Sequence, residues 1–417
     1  MIAARRFHAA QAYVEEGLSR AGDPEALAEL HSCRAAVRRV RGDLHGALDD
    51  YRAAHAQAVR ESTRAAMLTR TALVLHRLDR HSEADRVLDD AEEIVDRAGI
   101  GGVVRAEVHE QRGVLAFGRG DQEACTRHHA AALALAESAG DRRAVARAHG
   151  GLGEAARAGG RMRTACSHFE RAIAIAREDG FGMVIEEFGY VHAYTRHLSD
   201  PGPHAAVLAD LAVEEARNSG SLHTEMIARL LRSDIRLSGL DLAGADEDLC
   251  RVEELLPGSR EQHFADDLVE MRALLAFRRG DLSAANAVLG PILEAGVPSG
   301  RTAARRLGIL ALVGDASAHR RAIEIGSELA RRPQCALGVL WFHRLALESA
   351  LRRGEPALAR AEIDALRACT AQESLAWAEL AIENAELHLA PDAERVRAFG
   401  ERADAAGIRD LPPVRAR

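Results

Sequence analysis

A small residue recurs along the chain at nearly even intervals: Ala47, Ala84, Cys125, Ala165, Ala205, Ala245, Ala285, Ala322 and Ala359, spaced by 37, 41, 40, 40, 40, 40, 37 and 37 residues. Four residues after each stands Tyr51, Leu88, His129, Phe169, Ala209, Leu249, Leu289, Gly326 or Ile363, and seven after each stands Ala54, Ala91, Ala132, Ala172, Ala212, Val252, Ile292, Leu329 or Leu366. Side chains at i, i+4 and i+7 share one face of a helix, so each set marks the buried stripe of an amphipathic segment. Residues 141–180 spell out the whole unit. Ala148, Leu152 and Ala156 fall on one face of a first helix, Gly160-Arg161 breaks it, and Ala165, Phe169 and Ala172 fall on one face of a second. Similar breaks stand at Gly42-Asp43, Gly120-Asp121, Gly280-Asp281, Gly314-Asp315 and Gly354-Glu355. Glycine supplies the left-handed backbone that ends one helix, and a following Asp caps the next. The pattern predicts an all-α chain of helix pairs.

At these residues the chain resembles the tetratricopeptide repeat family. Leu152-Gly153 stands seven to eight residues before Gly160, and Gly113 holds the same place before Gly120, as the small residues of that family do where its helices A and B cross. The period near 40 exceeds the family's usual 34 and implies helices longer by almost a turn each. In this it is similar to the repeat arrays at the carboxyl side of large ATP-binding LuxR-type transcription regulators and of similar actinobacterial signalling ATPases. The resemblance covers nearly the whole chain and is carried by packing positions. It implies a right-handed superhelical solenoid of about nine to ten repeats. Residues 1–417 are then one domain: a capping helix over 1–22, helix pairs over 23–390, and a helix with a frayed tail, IRDLPPVRAR, over 391–417. The first helix, from about Ala3 to Arg20, reads as a helix B without its helix A, either a cap or the mark of a longer protein cut at a repeat boundary. The resemblance further implies a sensor portion without the ATPase and without the DNA reader.

Composition supports this picture. A chain of 417 residues ordinarily holds two or three globular domains, yet no Pro/Ser-rich linker interrupts the repeats. The 4% aromatic content suits helices packed closely through small side chains. All 55 basic residues are arginine, which removes the lysine of a phosphate-binding GxxxxGK[ST] loop. A net charge of −8 argues against direct nucleic-acid binding. No apolar run approaches the ~18 residues of a membrane span, and the start lacks a signal-peptide core, so no membrane contact and a cytoplasmic location are expected. The six cysteines are scattered without a CxxC pair and read as structural thiols.

Little in the chain resembles reaction chemistry. Gly151-Leu152-Gly153 reads as helix packing and not as a dinucleotide loop. His109-Glu110 lacks the second His of a zinc protease motif, and His192 and His197, five apart, turn to different faces. No catalytic residue, no cofactor and no metal site is expected. The binding candidates follow from the resemblance. In such arrays the A helices line the concave face, and the residues thirteen, ten, six and three before the turn residue point into it. At the turn at Asp200 these are Glu187, Tyr190, Tyr194 and His197. At Gly160 they are Arg147, Gly150, Glu154 and Arg157. At Gly239 they include Arg229, Ser233 and Arg236, and at Gly354 they are Trp341, Arg344, Glu348 and Leu351. Aromatics beside arginines make a binding surface that stacks and forks onto carboxylates. The alternative is that Tyr190, Tyr194 and Trp341 fill gaps between repeats and that the arginines pair with nearby Glu on a solvated face; His197, near its turn, reads as solvated. The leading expectation is a non-enzymatic scaffold or sensor whose groove binds a partner protein, a peptide or a small effector in a regulatory system of transcription or signalling. An enzyme on a helical-repeat frame and a structural adaptor, self-associating as a homodimer through its end repeats, are the alternatives.

Overall fold

The computed structural model describes residues 2–258, 263–294, 303–331 and 336–414. Among these the regular structure is helical. The opening helices are α1 (Ile2–Arg20), α2 (Pro24–Val40), α3 (Leu44–Gln57), α4 (Glu61–Arg77), α5 (His81–Arg97), α6 (Gly102–Arg119) and α7 (Gln122–Ala139). The middle of the chain forms α8 (Arg142–Ala158), α9 (Met162–Asp179), α10 (Gly182–Ser199), α11 (Pro203–Ser219), α12 (Leu222–Ser238), α13 (Leu242–Leu255) and α14 (His263–Arg278). There follow α15 (Leu282–Glu294), α16 (Ala303–Val313), α17 (Ala316–Ala330), α18 (Ala336–Arg353), α19 (Pro356–Cys369), α20 (Ala376–Leu389) and α21 (Ala393–Ala405). Each even-numbered helix pairs with the odd-numbered one after it, and the pairs stack into a right-handed superhelical solenoid.

The repeating small residues explain the stacking. All nine, from Ala47 to Ala359, are buried, as are the nine residues four positions later. Seven positions later Leu329 is half-buried, and the Ile292 side chain lies outside the described residues. The pairs close on one another where glycine on the first helix receives a ring from the second. A Cβ on Gly113 would stand 2.5 Å from His129, and one on Gly153 would stand 2.6 Å from Phe169. Asp43, Asp121, Asp141 and Asp241 cap the helices that follow them by accepting a backbone N–H. The left-handed turn residue is glycine at Gly42, Gly120, Gly160, Gly280 and Gly354, but Asp79 and Leu240 take it at φ 58° and 59°. Gly239, the turn residue expected from sequence, has φ −87°. The true turn residue there is one position later.

The even-numbered helices form the inner layer, and the superhelix is wound tightly enough for successive turns to touch. The first-turn N–H groups of α9 at Arg163 and Thr164 donate to Glu373 at 2.9 and 3.4 Å. These partners are 210 residues apart, about five periods. On the same seam α1 lies against α11, α8 against α18 and α10 against α20. The tail does not fray as expected. Ile408, Asp410 and Pro412 are buried, and the N–H groups of Arg409 and Asp410 both donate to the carbonyl of Ser238, at 2.7 and 3.1 Å. Residues 415–417 lie outside the described residues.

Candidate functional site

Two stretches of the inner layer carry the candidate residues, and they differ in access. In the first, α6, α8 and α10 present a partly exposed strip of charges and aromatics. The guanidinium of Arg147 donates to both oxygens of Glu110, at 2.8 and 3.1 Å. Arg157 donates to Glu154 at 2.6 Å and lies over the Phe117 ring. Glu187 is exposed, and Tyr190 is half-buried beside it. Burial raises the Tyr190 hydroxyl pKa, the charges of Glu154 and Glu187 add to this, and Arg157 and Arg77 oppose it. Arg77 belongs to α4, three helix pairs back along the chain, so the walls of the groove are near one another. The carboxylates of Glu110 and Glu187 hold Arg147 above the ordinary arginine range.

In the second stretch the A helices close around the axis and the same register points into packed interior. The Tyr194 hydroxyl donates to Asp234 at 2.7 Å and accepts from the indole N–H of Trp341 at 2.9 Å, across 147 residues of sequence. Arg305 donates to Asp234 at 3.0 Å and stacks on Trp341, which meets Trp377 edge to face at 4.6 Å. Arg344, 1% exposed, lies over both indoles and donates to Asp410 at 2.7 Å. Arg278 bridges Glu348 and Asp410 at 2.8 and 3.0 Å. Burial pushes the Glu348 carboxyl up, but Arg278, Arg344 and Arg352 outweigh it and hold the pKa below the ordinary value. Burial brings His197 down to about 4 and takes Glu270, donated to by Arg306 at 2.8 Å, up to about 7.

The expected site residues therefore separate into three groups. Arg147, Glu154, Arg157, Glu187 and Tyr190 come together on the open strip. Tyr194, Trp341, Arg344 and Glu348, expected to be exposed in the groove, are instead buried, and His197, read as solvated, is buried with them. Arg229 and Arg236 do not face the groove. They donate to Asp248 of the following helix at 2.9 and 2.8 Å, with Arg232 as a third donor at 2.6 Å. Counting from Leu240 instead of Gly239 moves the inward position from Ser233 to Asp234, the residue that the network uses. Gly150 is covered by the Phe188 ring. Sequence reading missed Glu107 and Glu110, which the same count from Gly120 selects, and also Arg278, Arg305 and Asp410, for which local spacing carries no signal.

Histidines pair at a repeated place. His109 and His128 face each other at 3.1 Å between Nδ1 atoms, and His149 and His168 do the same 40 residues later. Burial lowers the pKa of all four. Among the described residues no group of three or more His, Cys, Asp or Glu side chains gathers in a way that could hold a metal ion, and no helix is long and apolar enough to cross a membrane.

Stacked A/B helix pairs with small residues at their crossings, wound so that the A helices face inward, define a tetratricopeptide-like repeat solenoid. Solved structures share this fold. A structure of NprR in complex with its cognate peptide NprX aligns at a TM-score of 0.60 with 10% identity, covering 81% of this chain and 98% of that one. The apo form of RapI aligns at 0.53 with 10% identity over 83% and 98% of the two chains. A Rap protein complexed with competence and sporulation factor aligns at 0.51 with 16% identity over 67% and 78%. At these identities the likeness establishes the fold alone. No protein-family model and no curated protein matches the chain.

Proposed function

We propose that this chain is a non-enzymatic repeat regulator that binds an extended peptide, or a peptide-like segment of a partner protein, on the inner face of its superhelix. The observation that carries the reading is the open strip of Arg147, Glu154, Arg157, Glu187 and Tyr190. It offers a half-buried aromatic between charges of both signs, the composition that anchors a peptide side chain and orients its polar groups. NprR and a Rap protein, which share the fold, are bound in their structures to a peptide and to competence and sporulation factor. The inner face of the present chain supports the same use, and binding would act by shifting the populations of more and less tightly wound superhelix. The strongly perturbed groups, His197 and Glu270, lie in packed interior, which supports structural duty over catalysis.

Selection from a displayed peptide library, followed by calorimetry on the purified chain, tests the reading. Tyr190→Ala and Glu187→Arg should each weaken a selected peptide by about tenfold or more, equivalent to ~1.4 kcal/mol, while leaving the fold intact. Selected peptides that bind all variants equally would remove the strip from the site. A second reading, a small effector, rests on a half-open cleft of about 460 Å³ at the seam between turns, lined by Arg163, Cys166, Glu170, Arg196 and Asp200 and faced by Ala376. Stabilisation by a metabolite that is abolished by Cys166→Leu would favour it.

A further inference from the structure

Residues 406–414 lie against the last residues of α12 and α14 and the bodies of α18 and α20 without secondary structure of their own, and they are held as a bound peptide is held. Main-chain groups carry the register: Arg409 and Asp410 N–H donate to Ser238 O, and the Pro412 carbonyl accepts from Asn384 Nδ2 at 3.0 Å, with His388 Nε2 at 3.2 Å. One side chain carries the charge. Asp410, 6% exposed, places one carboxylate oxygen on Arg344 and the other on Arg278. Two buried guanidiniums from different helices converging on one carboxylate form a receptor for that group: burial has stripped both of water, and Asp410 supplies the counter-charge to Arg344 and shares that duty with Glu348 at Arg278.

The fit of this segment is incomplete. Arg344 is buried, yet its Nε and Nη1 have no hydrogen-bond partner among the described residues, and neither do the Trp377 indole N–H, His197 Nε2 and Asn384 Oδ1 around it. Leaving several polar atoms unmatched at one place is costly, and protein interiors rarely do so without a reason. The orphaned Arg344 and Trp377 groups, which pack on one another, are donors, so around that pair what is lacking is acceptor oxygen, whereas Asn384 Oδ1 is an acceptor and adds nothing to this count. The nearby indole rings offset only part of the Arg344 deficit.

We infer that the Arg278–Arg344 site is a carboxylate-reading subsite of the peptide groove, that segment 406–414 occupies it in place of a ligand, and that a peptide bearing an Asp, Glu or terminal carboxylate displaces the segment to bind there. The inference rests on the peptide-binding reading above and adds to it the chemistry of the ligand and an internal competitor. An incoming carboxylate with further acceptors satisfies the unmatched donors of Arg344 and Trp377, which is the differential contact that a population shift requires.

The test uses the full chain and its Asp410→Asn variant, with the synthetic peptide AGIRDLPPV, the sequence of residues 406–414, and the same peptide carrying Asn in place of its Asp. Trp341 and Trp377 are the chain's two tryptophans and both touch Arg344, so intrinsic fluorescence reads the site directly. The variant should bind the Asp peptide at least ~10-fold more tightly than the parent does, and should discriminate against the Asn peptide by a similar factor. In the parent chain, excess Asp peptide should speed amide exchange at Arg409 and Asp410, a readout that survives even if the variant folds poorly. Equal binding by parent and variant, indifference to the peptide's carboxylate, or unchanged exchange in the parent would each overturn the inference. The broader reading fails separately. If library-selected peptides bind in a Tyr190-dependent way while these outcomes are negative, the groove stands and the internal competitor falls. If no selected peptide binds at all, the groove itself is lost.

Discussion

Asp248 collects three guanidiniums at 0% exposure, and the same device recurs near the start of the chain, where buried Asp50 accepts from Arg34 at 2.6 Å and Arg38 at 2.9 Å. In both, the arginine nearer the turn also donates to a carbonyl of the capped helix, Gly46 or Gly244. Arginines at helical spacing look alike in sequence whether they face a groove or a neighbouring helix, and only the position of the partner Asp separates the two cases. The consequences differ by residue. Tyr190→Ala should cost less than about 1.5 kcal/mol, whereas Tyr194→Ala, which empties buried volume and orphans Asp234 and Trp341, should cost about 3 to 5 kcal/mol. Thermal or urea unfolding of the two variants checks the contrast; equal losses would return Tyr194 to the surface.

Acid sensitivity also belongs to single residues. Burial holds His129 and His197 down to about 4, against an ordinary value of 6.5. The unfolded chain therefore binds more protons at these sites between pH 6.5 and 4, and stability falls as pH drops through that window by about 1.4 kcal/mol per unit for each histidine. Glu270, raised to about 7 from 4.5, works in the opposite sense between pH 7 and 4.5 and offsets about one of the two. Stability should accordingly be lower at pH 5 than at pH 6.5, with a slope reduced in His129→Gln. A flat profile would place these imidazoles in water.

At the scale of elements, the sequence announced the helices well because packing is periodic. The small residue, its partner four positions on and the glycine before each turn impose themselves every 37 to 41 residues whatever the ligand. Turns without glycine were harder. Leu240 holds φ 59°, a conformation costly for a side chain with a Cβ, and the adjacent Gly239 attracted the assignment although its own backbone is α-helical. That one-residue error put Arg229 and Arg236 in the groove and left Asp234 out. Leu240→Gly should stabilise the chain by about 0.5 to 1 kcal/mol, since it relieves left-handed strain at an exposed position. A destabilised variant in a denaturant titration would show that the turn carries no strain.

Across the whole molecule, what sequence could not supply is the winding. Tyr194 and Trp341 are 147 residues apart, and Arg278 and Asp410 are 132 apart. Their meeting depends on the superhelix completing a turn in about five pairs, a quantity set by small rotations accumulated over every interface. The direction of A-helix side chains follows from local spacing, which is how the sequence points to the strip around Tyr190; the closed axis has no such local signal, because closure turned an expected surface into interior. Glu373 clamps consecutive turns through the N–H groups that open α9. Glu373→Ala should leave helicity unchanged, cost about 1.5 to 3 kcal/mol at most, and enlarge the radius of gyration in solution scattering as the turns part. An unchanged radius would mean that the axial network alone holds the pitch.

The measurement that bears most directly on the account is hydrogen–deuterium exchange of the full chain with and without a library-selected peptide. Binding on the inner face should slow exchange in α8 and α10, around Arg147 to Arg157 and Glu187 to Tyr190, while leaving the outer helices α7, α9 and α11 near their unbound rates. Protection confined to those outer helices, or to neither layer at a saturating peptide concentration, would contradict it.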